Sequence, residues 1–435
     1  MQTPALAAVA IAHVRLASAR HAVLAKNSAA LAFGTGGTAA LGVIYWWVAA
    51  RSFSPEVIGN ASALLSLMGL VGLVGEGGLG TLLTGEIIRR PDGQRGLIAA
   101  AALTAILLSL SVGGLALILQ GLAHGVLGGV NASGFSDLWL IVGSGLTGLC
   151  FVLDQAFVGM LQSSLRMLRQ LLFSASKLAL LVAVAMWFTD ESSILLTWVV
   201  AQAASLVVVE WLARKRNRSL IRPPDFRLLY SLKRKAADHY LLDLGIQVPA
   251  VIMPYLVTVL LSPARNAAFT VIWMVVSVAS VVPGSLAIVL FPAIRAEPDQ
   301  YRDKMLLSLG ASLVFAIACS VLIFLYSSQI LRIFNPVYVE IGGQSLRFLG
   351  FGLIGLVIKA HACAAARLCN GMRRASAGFC IGGLFELACS VIGSQAGGLE
   401  GLVIGWVAGV LIEGVVMFVV ASRLNAWSGA EPASA

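Results

Sequence analysis

Ala61-Ser62-Ala63-Leu64-Leu65-Ser66-Leu67-Met68-Gly69-Leu70-Val71-Gly72-Leu73-Val74-Gly75-Glu76-Gly77-Gly78-Leu79-Gly80-Thr81-Leu82-Leu83 carries one charge, Glu76, in a run that is otherwise apolar or small. A helix on the surface of a soluble protein keeps one polar face, and this run has none. An apolar run of about 18 or more residues can cross the hydrocarbon layer of a bilayer. There each backbone N–H and C=O must be bonded within the segment, so the run is a helix. Runs of the same kind recur at about 27–50, 56–88, 96–120, 137–162, 170–189, 193–213, 239–261, 266–294, 305–328, 342–366, 375–395 and 398–421. The sequence therefore predicts an all-α, polytopic membrane protein of about twelve spans.

Composition agrees. Of 435 residues, 59% are hydrophobic and 11% charged, against about 25% charged in soluble domains. The net charge of +10 does not point to nucleic acid, because the cations lie in short loops between apolar runs. With both termini in the cytoplasm, the inner loops hold clusters such as Arg89, Arg90, Arg95 and Arg367, Arg373, Arg374. The outer loops hold only Arg51, Arg265 and Arg332. That asymmetry sets the expected orientation in the cytoplasmic (inner) membrane. The six cysteines lie in or beside apolar runs without metal-ligand spacing, and read as small buried hydrophobes. No cofactor or metal is expected.

The expected organisation is a basic N-terminal segment 1–26, an N-lobe of six spans over 27–213, a basic connection over 214–238, a C-lobe of six spans over 239–421 and a tail over 422–435. Phe226, Leu228, Leu229 and Leu232 give the connection an apolar face among cations, which suits an interfacial helix or a solvated linker. The lobes read as a repeat at an offset of about 207 residues. Leu79, Leu83, Ile87, Pro91 and Asp92 recur as Leu286, Leu290, Ile294, Pro298 and Asp299, and Ser54-Pro55 is echoed by Ser262-Pro263. In parallel-repeat carriers the substrate site lies between the lobes.

Charges inside spans are functional hypotheses by default. Asp154 and Lys177 fall at similar depth on consecutive spans, and so do Lys359 and Glu386. Each pair could close on itself as a structural ion pair, or could face a central cavity and bind an anionic headgroup. Arg347 and His361 join these four as cavity candidates. Glu76 is the candidate for ion coupling, by proton or sodium. Gly77 and Gly78, with Pro283 and Gly284 at the matching depth of the second half, are candidate hinges.

The stretch Ala49-Ala50-Arg51-Ser52-Phe53-Ser54-Pro55-Glu56-Val57-Ile58-Gly59, followed by Glu76-Gly77-Gly78-Leu79-Gly80-Thr81, resembles the polysaccharide-exporter, O-antigen-type flippase branch of the multidrug/oligosaccharidyl-lipid/polysaccharide (MOP) superfamily. The resemblance implies a transporter that flips undecaprenyl-type lipid-linked saccharides, with two bundles around a cationic cavity. Membrane lipids, a coupling ion and polysaccharide polymerases or glycosyltransferases would be its partners. Residues 27–50 carry no charge, which departs from lipid II flippases and from drug-extruding relatives alike. A multidrug antiporter remains the alternative transporter. A membrane glycosyltransferase or polymerase is the alternative enzyme, for which the outer loops are short. No P-loop is present, so nucleotide is not the direct energy source.

Overall fold

The computed structural model describes residues 33–87, 94–127, 134–215, 222–296, 298–368 and 372–428. The basic segment 1–26 and the last residues of the tail lie outside them. Helix α1 covers 33–52. Ser54 then accepts a hydrogen bond from the Val57 N–H and, with Pro55 behind it, starts α2 (Pro55–Glu76). Gly77 and Gly78, at φ 61° and 71°, end α2 and start α3 (Leu79–Glu86). Few residues other than glycine take two successive left-handed conformations. The first lobe continues through α4 (Gln94–Leu127), α5 (Gly134–Gly159), α6 (Ser163–Val184) and α7 (Glu191–Lys215).

A short helix α8 (Phe226–Ser231) leads into α9 (Lys233–Leu260), which contains Pro249 and Pro254. Ser262 and Pro263 start α10 (Pro263–Ala279) with the same cap that starts α2. α10 meets α11 (Val281–Ala296) at a bend of 44°. The chain continues through α12 (Tyr301–Phe334), α13 (Val337–Ala366) and α14 (Met372–Ser428). α14 is broken into two arms at Gly397 and Gly398.

Nine of the described helices are each long and apolar enough to cross a membrane, and the bent pair α10–α11 makes a tenth. The two arms of α14 and the helix α1 complete a set of twelve segments. The spans read from the sequence are thus present, with the second and eighth broken rather than straight.

In the first half α2, α3, α4 and α7 pack on α5, with α6 against α7; in the second half the helices pack around α13 and α14. The lobes meet where α2 and α3 lie against α9 and α10. At the end bearing the α1–α2 turn, one apolar core runs through both lobes, from Tyr45 and Leu64 to Phe269 and Trp406. Toward the other end the core divides. One cluster belongs to the N-lobe, around Leu83, Ile98 and Phe157. The other belongs to the C-lobe, around Leu290, Ala365 and Phe379. The molecule is therefore joined at one end and divided at the other.

Polar contacts close the joined end. Trp47 Nε1 and Arg51 donate to the Ile333 carbonyl at 3.1 and 3.0 Å, and Asn335 donates to the Ala50 carbonyl at 3.1 Å. Thr270 Oγ1 donates to Ser62 Oγ at 2.9 Å. Gly59 packs on the Pro263 carbonyl so tightly that any Cβ there would collide with backbone. Between helices in lipid, such small-residue contacts and hydrogen bonds take the place of hydrophobic association. Along one flank the lobes also touch further down: Tyr240 donates to the Val74 carbonyl at 2.8 Å, and Thr81 to Asp243 at 2.7 Å.

Candidate functional site

The breaks α2–α3 and α10–α11 lie where the shared core divides. In the C-lobe a cavity of ≈ 200 Å³ is bounded by Ile246 and Ala250 of α9, Ser280, Pro283 and Gly284 at the bend, Lys359 of α13, and Glu386 and Trp406 of α14. A side chain built at Gly284 would meet nothing within 4 Å. Four residues singled out from the sequence, Lys359, Glu386, Pro283 and Gly284, are thus brought to one cavity.

Lys359 Nζ donates to Glu386 at 2.9 Å, as the spacing suggested, and also to Glu413 at 2.9 Å. All three are buried. With each group ionised, the cluster carries a formal charge of −1. Glu413 Oε1 is buried and has no hydrogen-bond partner. Glu413 comes from the second arm of α14, a segment not consecutive with α13, so counting depth along neighbouring spans did not find it. The signal that could have found it is that Glu413 is an acid inside the apolar run 398–421.

The N-lobe differs from the expectation. Asp154 is paired with Arg169 at 2.5 Å, not with Lys177, and also accepts from Gln170 at 3.0 Å. Arg169 reaches Cys150 as well. α6 begins at Ser163, ahead of the start at about 170 expected from the apolar run, so Arg169 lies inside the helix.

Lys177 stands instead among aromatic rings: Trp198 at 3.8 Å, Phe173 at 4.8 Å and Tyr45 at 4.9 Å. The rings come from α1, α6 and α7. Trp198 Nε1 donates to Tyr45 OH at 2.9 Å, and Tyr45 OH lies 3.2 Å from Thr197 Oγ1. Ring faces attract a cation that has lost its water. Among the described residues Lys177 has no carboxylate partner.

Glu76 is buried beside the α2–α3 break. One carboxylate oxygen accepts from the Gly80 N–H at 2.5 Å and the other from the Gly78 N–H at 3.3 Å. It thereby caps the amide end of α3, whose first N–H groups lack helical partners. Gly77 and Gly78 form the break itself, and Pro283 lies in the first turn of α11, just past the bend.

Like Asp154, Lys177 and Glu76, the last two candidates do not line the cavity. Arg347 reaches back to α12, donating to Ser327 at 3.1 Å with Phe324 5.8 Å away. His361 donates from Nδ1 to the Val357 carbonyl at 2.8 Å, and its Nε2 lies 3.0 Å from Ser308 Oγ. Both bind their own lobe together.

The fold is similar to those of several solved transporters. An inward-facing multidrug resistance MATE transporter of the MOP superfamily matches with a TM-score of 0.70 at 16% identity, over 91% of this chain and 96% of that one. An outward-facing MATE transporter matches at 0.65, with 16% identity over 94% and 97%. A MOP transporter from Pyrococcus furiosus, described as having a binding pocket of reverse polarity that suggests a different function, matches at 0.61, with 16% identity over 93% and 96%. No family model and no curated protein sequence matches the chain.

Proposed function

We propose that the chain is an alternating-access carrier that flips lipid-linked oligosaccharide or polysaccharide precursors across a bacterial cytoplasmic membrane. The observation that carries this reading is the state of the N-lobe charges. Lys177 is a buried cation without a carboxylate partner among the described residues, whereas Asp154 is taken by Arg169 and Glu76 by two backbone amides. An extruder of cationic drugs needs the opposite, an acid left free for its substrate. A phosphate-linked sugar needs a positive group in a site shielded from hydrocarbon, and its apolar tail can stay in the lipid. A MOP transporter with a pocket of reverse polarity supports the view that this fold accommodates both signs.

Both termini lie in the cytoplasm in this reading, and 27–213 and 239–421 are the lobes that move. The joined end then faces outward and the divided end inward. A higher TM-score to an inward-facing than to an outward-facing MATE structure supports that assignment. The breaks at Gly77–Gly78 and at the α10–α11 bend are the bending points. The energy comes from an ion gradient. Lys359 occupies the space between Glu386 and Glu413, which leaves a proton as the ion best suited to neutralise the cluster. We place coupling there rather than at Glu76, both of whose oxygens are engaged.

Deleting the gene tests the substrate. Lipid-linked repeat units should accumulate on the cytoplasmic face while their synthesis continues and surface glycan is lost. Normal surface glycan without accumulated precursor, in a strain with no second flippase, overturns the reading. The multidrug antiporter is favoured instead if the purified carrier in vesicles moves organic cations against a proton gradient and does not move lipid-linked sugar.

A further inference from the structure

α4 and α7 both pack on α5, and between them lies a groove of ≈ 720 Å³. Its floor is α5, at Leu149, Leu153 and Phe157, and its walls include Ala102 of α4 and Leu206 of α7. Leu103 and Val207 at its edges are exposed on the outer face of the lobe, the face a membrane would cover. The groove ends in a polar mouth lined by Arg214 and Arg222, with Glu210 beside them.

That mouth is held in place. The Asp225 N–H donates to the Gly96 carbonyl at 3.0 Å, pinning the segment that carries Arg222 across the first turn of α4. The Asp225 side chain is turned away to cap α8 at Leu228 N–H, 2.9 Å away. Arg214 is met by Glu210 at 2.8 Å, while no carboxylate among the described residues pairs with Arg222. Trp211, half-exposed at the rim, lies 3.7 Å from Lys215 Nζ, an arrangement suited to headgroup depth.

We propose that this groove binds one anionic phospholipid, with its phosphate on Arg222 and Arg214 and an acyl chain along the α5 floor. Glu210 offsets Arg214 and the Arg222 charge is left over, so the net positive mouth and the apolar length behind it select that occupant over a zwitterionic lipid, which brings no net charge. The lipid belongs to the leaflet at the Arg214 and Arg222 end, the cytoplasmic leaflet in the orientation proposed above. The site lies on the outer side of the N-lobe, apart from the C-lobe cavity, and its occupancy does not depend on what the carrier transports.

The test uses the full chain, reconstituted in vesicles of equal phosphatidylglycerol and phosphatidylcholine and released into mild detergent for native mass spectrometry. The expected result is one phosphatidylglycerol retained per chain in preference to phosphatidylcholine. Arg214→Gln with Arg222→Gln should lower that retention about tenfold or more, at about 1 kcal/mol per basic group. Ala102→Trp, which fills the groove and leaves both arginines, should abolish it. If Ala102→Trp does not fold, Ala99→Phe replaces it at the same wall. Equal retention of the two lipids, or unchanged retention in the groove-filling variant, overturns the proposal. So does displacement of phosphatidylglycerol by an equimolar polyprenyl phosphate, because the groove would then hold the tail of the cargo.

Discussion

Asn266 donates its side-chain amide to the Gly59 carbonyl at 2.8 Å, across the two lobes and across the repeat offset of 207 residues. The same amide reaches Ser62 Oγ at 2.8 Å. Equivalent helices of the two halves therefore lock on one another at the joined end, and opening that end requires breaking this lock.

Gly59→Val should open the joined end. The added atoms meet the Pro263 backbone, which cannot move aside as a side chain would. In a cysteine-free background, Ser62→Cys should be protected from hydrophilic thiol reagents, and Gly59→Val should expose it while the protein stays monodisperse. Unchanged protection in the Gly59→Val variant would show that the contact does not hold the end shut.

Lys359→Met should lower membrane abundance sharply, because it strands two buried carboxylates. Breaking a buried pair in this way costs about 3–5 kcal/mol in soluble proteins. Adding Glu386→Gln and Glu413→Gln should restore abundance. Glu413→Gln alone keeps the Lys359–Glu386 pair, so it should fold normally and lose gradient-driven transport. Transport by Glu413→Gln with wild-type response to the proton gradient would remove the cluster from coupling.

Asp154→Asn should destabilise the N-lobe by a similar amount, leaving the Arg169 guanidinium buried without a counter-charge. Asp154→Asn with Arg169→Met should recover most of the loss, read as the thermal midpoint of a fluorescent fusion in detergent. Recovery by Lys177→Met instead would mean that the partner is Lys177 after all.

Lys177→Met should leave abundance near normal, since the ring cluster can hold a methyl thioether in place of an ammonium. Cation–ring contacts of this kind contribute on the order of 2 kcal/mol when desolvated. Flipping of lipid-linked saccharide should fall at least about tenfold, which corresponds to about 1.4 kcal/mol. Full activity in this variant would make Lys177 a packing residue.

The spans were legible because hydrocarbon permits few alternatives to a long apolar helix. Ser54-Pro55 and Ser262-Pro263 were legible as a repeat, and they cap α2 and α10 alike. The charge partners were less so. Counting residues from span ends matches Asp154 to Lys177, but it gives depth and not which side of the helix a residue takes. The true partner, Arg169, was hidden because polar residues at the start of α6 made that turn look like a loop. The third member of the Lys359 cluster depends on two segments meeting in space, and no spacing rule reports that. The ring cluster at Lys177 draws on three helices and was invisible for the same reason.

The Glu76 carboxylate has a mechanical consequence. A continuous helix that bends inside a membrane strips carbonyls and amides of their partners, with no water present to replace them. Here the separation of α2 from α3 is permanent, and the amides of Gly78 and Gly80 are held by a side chain on a pivoting stem. In the alternating-access reading proposed above, α3 swivels about α2 while that tether follows it. The proposed element is a lubricated joint, in which a change of angle need not pass through a state with bare peptide groups facing oil.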